Sequence, residues 1–226
     1  MGKKYFIAGT DTDAGKTLVA TGLLEAANQQ GLTTLAIKPV AAGCEQTAEG
    51  LRNSDALLLQ QAMSQKLPYE QVNPVALEPA IAPHIAAAQL GKSLRVTQLA
   101  GYCRGVMMQP SDFLLIEGAG GWRVPLNRTE TLAGLAKELN TAVILVVGMK
   151  LGCINHALLT IEAIQRDGLP LAGWVANRID PNMSCYAENF ATLVDLIPAP
   201  CLGEVPHLAE ANGKEASRYM DIASLL

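Results

Sequence analysis

The sequence predicts an α/β domain, with a mostly parallel sheet carrying helices on both faces. Two observations predict it. Short β-rich runs alternate with longer helical stretches along the chain, the order of strand, crossover helix and strand. Most of the short runs are continuously apolar rather than alternating, as strands covered on both faces are. The chain has 226 residues, half of them hydrophobic, with no internal repeat and no low-complexity linker. One domain over residues 1–226 is therefore expected.

The elements follow in order. Tyr5–Ala8 is the first strand, and a helix near 17–30 follows a glycine-rich turn. Thr33–Ile37 is the second strand, closed by Pro39, which holds Lys38 extended. A helix near 54–63 carries Asp55 in its first turn, where an acid is an ordinary partner of the helix dipole. The Pro-rich segment 68–83 reads as an irregular excursion, and helices near 84–90 and 95–108 come next. The strand Phe113–Ile116 ends at Glu117. A helix near 131–139, the strand Ala142–Val147, a helix near 154–167, the strand Leu171–Ala176, a helix near 183–196 and the strand Cys201–Val205 complete the pattern.

Composition removes several classes. With 17 Lys and Arg against 21 Asp and Glu, the formal charge of -4 offers no footprint for nucleic acid. No apolar run approaches the roughly 20 residues of a membrane span. The basic start Met-Gly-Lys-Lys precedes an apolar stretch too short for a signal sequence, and Phe6 stands where a myristoylation motif requires Ser or Thr. The 5 cysteines are widely spaced and never in C-x-x-C, as structural thiols of a reducing compartment are. The 3 histidines are scattered, which gives no zinc constellation. A cytoplasmic enzyme or switch is expected.

The stretch "GTDTDAGKT", Gly9 to Thr17, follows the first strand and opens the first helix, the context a phosphate-binding loop requires. Helix N-terminal amides and the helix dipole favour an anion there. In this arrangement Lys16 reaches the β- and γ-phosphates and the Thr17 hydroxyl ligates Mg²⁺. The spelling is altered: Thr10 stands where the usual pattern has its first glycine. Asp11 and Asp13 place carboxylates near phosphates, which makes sense if one of them contacts a cation, an amine or ribose hydroxyls. Together these features specify a single P-loop NTPase-type domain.

Other residues gather at the same edge of the predicted sheet. "FLLIEGAGGW" ends a strand with Glu117, the position of a metal-side acid, and Gly118, Gly120 and Gly121 leave the backbone open to a ligand. Lys16, Lys38, Glu117, Lys150 and Asn177 all lie at or just beyond strand carboxyl ends, where open α/β sheets bind ligands. Taken singly, Lys38 could equally be a solvated strand-end lysine. "VGMKLGCINHALL" runs from a strand through a glycine turn into a helix near Ile154, a second set of helix N-terminal amides that could hold a carboxylate or be capped.

In order along the chain, "GTDTDAGKT", "KPVAAG", "EGLRNSDA", "PHIAAA", "IEGAGGW", "VVGMKLGCINHALLT", "GWVANR" and "GEVPHL" resemble the dethiobiotin synthetase family. The resemblance covers nearly the whole chain. It implies an ATP-dependent carboxylation and ring closure of 7,8-diaminononanoate with CO₂, through a carbamate and a carbamic–phosphoric anhydride. It implies that Thr12, Asp13, Ala14, Gly15, Lys16, Thr17 and Leu18 wrap the triphosphate, beside Gly118, Ala119 and Gly120, and that Thr17, Asp55 and Glu117 hold Mg²⁺. Lys38 matches the family's active-site lysine. Asn177, Arg178 and the stretch Pro206, His207, Leu208 would recognise adenine. The family is homodimeric, and Leu151, Gly152, Cys153, Ile154 and Asn155 would reach the partner subunit's substrate carboxylate, with Ala42 near the substrate in its own subunit.

Ala42 stands where members often carry Ser or Thr, and Asn189 where some carry a tyrosine near that carboxylate. A related synthetase acting on another amine or carboxylate is the alternative these two positions raise. A nucleotide-driven partitioning switch is disfavoured, because such proteins carry a loop lysine where this chain has Asp11.

Overall fold

The computed structural model describes residues 2–226, and Met1, the first residue of the expected domain, lies outside the described residues. β1 (Lys3–Gly9) leads through a loop into α1 (Lys16–Gln29), and β2 (Thr34–Ile37) follows. An accessory region comes next. It holds β3 (Val40–Ala42), β4 (Glu45–Thr47), β5 (Gly50–Arg52), α2 (Ser54–Ala62), the one-turn α3 (Tyr69–Val72), β6 (Val75–Leu77) and α4 (Pro83–Gln89). Then come α5 (Val96–Met107), β7 (Phe113–Glu117), α6 (Leu132–Leu139), β8 (Ala142–Gly148), α7 (Cys153–Arg166), β9 (Leu171–Asn177), α8 (Tyr186–Leu196), β10 (Cys201–Val205) and α9 (Gly213–Ser217).

The main sheet has six strands in the order β10-β9-β8-β1-β7-β2, every neighbouring pair parallel. β1 lies inside, and the chain leaves it first towards β2 and later towards β8. This reversal of direction opens a crevice at the carboxyl edge beside β1, where ligands bind in doubly wound sheets. The apolar runs Phe6–Ala8, Phe113–Ile116 and Val143–Val147 are all buried, because helices cover them. α1 packs with α2 and α9, α5 with α6, and α7 with α8.

Most predicted helices agree with the structure to within a residue at each end. Three differences have physical reasons. The segment read as irregular contains α3 and β6, and β6 pairs with β3 in a parallel two-stranded ladder, Val40 opposite Val75. β4 and β5 form an antiparallel hairpin. Strands of three residues are too short to show a period. The helix expected from 183 starts at Tyr186, because Cys185 takes a left-handed φ of 50° and halts the turn before it.

A cluster of polar contacts forms around Asp167, the C-cap of α7. Its carboxylate accepts from Trp122 Nε1 at 2.8 Å and pairs with Arg123 Nη1 at 2.7 Å, while Lys137 Nζ lies 3.6 Å away. Burial pushes the carboxyl up, but the Trp122 and Arg123 hydrogen bonds and the two cations outweigh it and hold the group below the usual carboxylate range. Asp167→Asn is expected to lower stability at neutral pH by about 1–3 kcal/mol, the scale of hydrogen bonds to a charged group. Because the folded value is depressed, this contribution is present above the unfolded value near ~3.9 and is lost as pH falls through the folded value. Denaturant titrations should therefore show parent and variant converging in acid, and a gap independent of pH would contradict the role assigned to this carboxylate.

Candidate active site

The loop between β1 and α1 is built by conformational choices its sequence permits. Asp13 takes φ 58° and Gly15 takes φ 88°, both left-handed, so the chain turns sharply into α1. Gly15 is required twice over: positive φ disfavours a side chain, and a Cβ there would run into the Asn177 amide. No side chain caps α1, so its first amides face the crevice. Behind the loop, Asn177 Nδ2 donates to Ala14 O at 2.9 Å, Thr10 N donates to Val146 O at 3.0 Å, and Gly148 N donates to Thr10 Oγ1 at 3.2 Å. Asp11 contacts a cation, one of the partners expected for it: Lys150 Nζ lies 3.1 Å from Oδ2. The Lys150 hydrogen bond is the main influence holding the Asp11 carboxyl below its ordinary value.

Lys16 Nζ donates to Asp11 O at 3.1 Å, across the loop. Burial lowers its ammonium's pKa more than the Glu117 charge raises it. One strand over, Lys38 is buried at 4 % exposure, which excludes the solvated strand-end alternative. Its Nζ lies 2.6 Å from Glu117 Oε1 and 2.9 Å from Asp55 Oδ2. Burial pulls the ammonium's pKa down, but the charges of Glu117 and Asp55 carry it above the ordinary lysine value. Asp55 responds in the opposite sense: burial raises it, and the Lys38 charge and hydrogen bond bring it below the usual range. Thr17 Oγ1 donates to Glu117 Oε1 at 2.8 Å, so one carboxylate oxygen serves both the phosphate loop and the lysine. The other oxygen, Oε2, is buried with no partner among the described residues.

The backbone of Lys38 is fixed from the accessory region. Lys38 N donates to Val72 O at 2.7 Å, and Asn73 Nδ2 donates to Lys38 O at 2.8 Å. Tyr69 Oη donates to Asn73 Oδ1 at 3.1 Å and accepts from Asn53 N at 2.7 Å. Asn53 caps α2, with its side chain accepting from Ala56 N at 3.2 Å, so the same network that holds Lys38 also sets the helix start carrying Asp55.

These groups share a cleft of about 900 Å³ lined by Thr12, Asp13, Gly15, Lys16, Thr17, Lys38, Ala42, Asp55, Glu117, Ala119 and Gly120. Other predicted residues lie elsewhere. Asn177 is buried behind the loop, and Arg178 stacks its guanidinium 4.6 Å over the Tyr186 ring. Pro206, His207 and Leu208 follow β10 at the carboxyl edge. Leu151 stands 90 % exposed, and Gly152 (φ 93°) precedes Cys153, Ile154 and Asn155 at the start of α7 without a side-chain cap. Of the three glycines after Glu117, Gly120 (φ 63°) borders the cleft. At Gly118 a glycine also serves packing, since a Cβ would come within 3.1 Å of Phe6 and 3.2 Å of Ile7 O. Sequence reasoning missed Ile81, Arg123 and Val124, which stand on irregular segments of the cleft wall with no periodic signal, and Pro83, the first residue of α4.

A parallel sheet with a strand–loop–helix phosphate cradle, a loop lysine and an acid at the next strand end defines a P-loop nucleotide-binding protein. The solved structures that resemble it agree at the level of fold. The MinC:MinD cell division complex of Aquifex aeolicus matches with TM-score 0.62 at 17 % identity, covering 96 % of this chain and 92 % of that one. Chloroplast FtsY from Physcomitrella patens matches with TM-score 0.56 at 17 % identity, over 100 % and 64 %. The family pattern of an AAA domain matches residues 3–215. Sequence relatives are closer. The ATP-dependent dethiobiotin synthetase of Cellvibrio japonicus is 63 % identical over 99 % of this chain and 98 % of its own. Those of Pseudomonas aeruginosa PAO1 (56 %, over 98 % and 97 %) and Aeromonas salmonicida (48 %, over 100 % of both) follow the same pattern. The chain belongs to the ATP-dependent dethiobiotin synthetase family.

Gly15→Ala tests the cradle. The added methyl meets the Asn177 amide at a positive φ, which costs roughly 1–2 kcal/mol in backbone conformation alone. Calorimetric titration should show nucleotide affinity falling by at least about tenfold. Parental affinity would contradict the role of this loop.

Proposed function

We propose that this protein closes the ureido ring of dethiobiotin from 7,8-diaminononanoate, CO₂ and ATP, releasing ADP and phosphate. The observation that carries this reading is the buried Lys38 ammonium between Asp55 and Glu117, in one cleft with Lys16 and Thr17. Family membership supplies the substrates. Residues Thr12–Leu18 wrap the triphosphate, with Gly118, Ala119 and Gly120 beside them. Asn177, Arg178 and Pro206–Leu208 recognise adenine. Thr17, Asp55 and Glu117 fit a divalent cation, since the unpartnered Glu117 Oε2 offers a further buried ligand oxygen. Mg²⁺ held there would supply a Lewis acid that neutralises charge on the β- and γ-phosphates. The working form is a cytoplasmic homodimer, in which the exposed turn Leu151–Asn155 receives the carboxylate of the diamine bound in the partner subunit.

In this reading one amine of the substrate adds to CO₂ and loses a proton, giving a carbamate. A carbamate oxygen attacks the γ-phosphorus, and ADP leaves. The second amine then attacks the carbonyl carbon of the resulting anhydride and expels phosphate. Lys16 leaves the Asp11 carbonyl to follow the transferring phosphoryl group, and Lys38 stabilises charge on the carbamate and γ-phosphate. Such transfer depends on position and charge more than on a protein nucleophile.

The purified protein, supplied with diaminononanoate, bicarbonate, ATP and Mg²⁺, should yield dethiobiotin by mass spectrometry. In the same assay Lys38→Ala should lower kcat by about 10²–10³ with little change in ATP affinity. ATP consumption with another amine and none with diaminononanoate would move the assignment to a related synthetase, which Ala42 and Asn189 would then explain.

A further inference from the structure

Lys38 occupies a peculiar place for a lysine meant to meet anionic substrates. Its ammonium is bound to protein carboxylates on two sides, 2.6 Å from Glu117 Oε1 and 2.9 Å from Asp55 Oδ2. Thr17 Oγ1 touches the same Glu117 oxygen at 2.8 Å. These are the three groups assigned above to the divalent cation. We propose that the Lys38 ammonium and the divalent cation are alternative occupants of this carboxylate pair, so that metal binding hands Lys38 over to the substrates. The inference rests on the metal assignment made under Proposed function.

Geometry and charge both require the exchange. Mg²⁺ draws its oxygen ligands to about 2.0–2.1 Å in near-octahedral array. An ammonium lodged between the same two carboxylates leaves no room for that shell, and two cations at such range repel strongly in a buried site. The exchange is also mechanically simple. Val72 O and Asn73 Nδ2 fix the Lys38 backbone, while its four-carbon stem can rotate. Glu117, the buried carboxylate of the pair, keeps a counter-ion throughout, and the half-exposed Asp55 does the same at the cleft's edge. A lysine released in this way carries its positive charge into the cleft only when the metal is in place. Metal loading and Lys38 deployment thus become one event.

Mn²⁺ binding to the nucleotide-free, full-length enzyme, read by electron paramagnetic resonance, tests this without turnover. Removing the competitor in Lys38→Met should tighten Mn²⁺ binding by at least about tenfold, since a unit charge within contact distance is lost. Adding Glu117→Gln to Lys38→Met should abolish the gain. Equal or weaker Mn²⁺ binding by Lys38→Met would overturn the proposal. Tightening that survived both Glu117→Gln and Asp55→Asn would instead show that the cation sits elsewhere, which removes the metal assignment and the proposal with it. The parent enzyme gives a second reading. Acylation of Lys38 by an amine reagent, followed by mass spectrometry, should accelerate several-fold as Mg²⁺ alone is titrated in, and a rate indifferent to Mg²⁺ would contradict the exchange.

Discussion

A charged lysine can be buried only if its charge is answered, because an ammonium taken out of water without partners is too costly for a fold to carry. Lys38 is answered by Asp55 and Glu117. That requirement fixes much of the surrounding structure. Glu117 must stand at the end of β7, which pairs directly with β2, the strand that leads to Lys38. Asp55 must arrive from the far side on a helix whose start is set by the Asn53 cap. The Tyr69–Asn73 network ties that cap to the Lys38 backbone, so the accessory region of short elements becomes the support of the central ion pair.

The doubly wound sheet supplies the second half of the site. β1 lies between β7 and β8, and the loop that leaves it is held from behind by Asn177, Val146 and Gly148, with Lys150 on Asp11. Thr17 then joins the loop to the ion pair through Glu117 Oε1. Nucleotide cradle and acid–lysine cluster therefore share an atom. The altered spelling of the loop is accommodated in the same way: Thr10, in the place of a glycine, uses its hydroxyl as an acceptor for Gly148 N, and Asp11 finds its cation in Lys150.

Most of the main strands were legible in the sequence because parallel strands covered on both faces are continuously apolar, as Phe113–Ile116 and Ala142–Val147 are, whereas β10, with Cys201 and Glu204 exposed, carries that signal weakly. The phosphate loop was legible because its turn, its lysine and its helix start are contiguous. Asp55 was not distinctive locally, since an acid in a first helical turn has an ordinary explanation. Only the order of motifs along the chain lifted it. The parts that stayed hidden are tertiary. Nothing in the spacing of Tyr69, Asn73 and Lys38 says that they touch, and three-residue strands such as β3 and β6 leave no period to read. Arg123 and Ile81 reach the cleft from segments whose course is set by packing, so no local pattern marks them.

The loop, the lysines and the acids suit phosphoryl transfer, and the proposed reaction makes its acceptor an oxygen that entered as CO₂. That chemistry leaves an atomic trace, because the carbamate oxygen that attacks phosphorus departs with the phosphate when the ring closes. Turnover with ¹⁸O-labelled bicarbonate, under conditions where label does not wash into water first, should therefore give inorganic phosphate carrying one ¹⁸O for each dethiobiotin formed. Dethiobiotin accompanied by unlabelled phosphate would mean that ATP is cleaved by water and that the carbamate is never phosphorylated in this cleft.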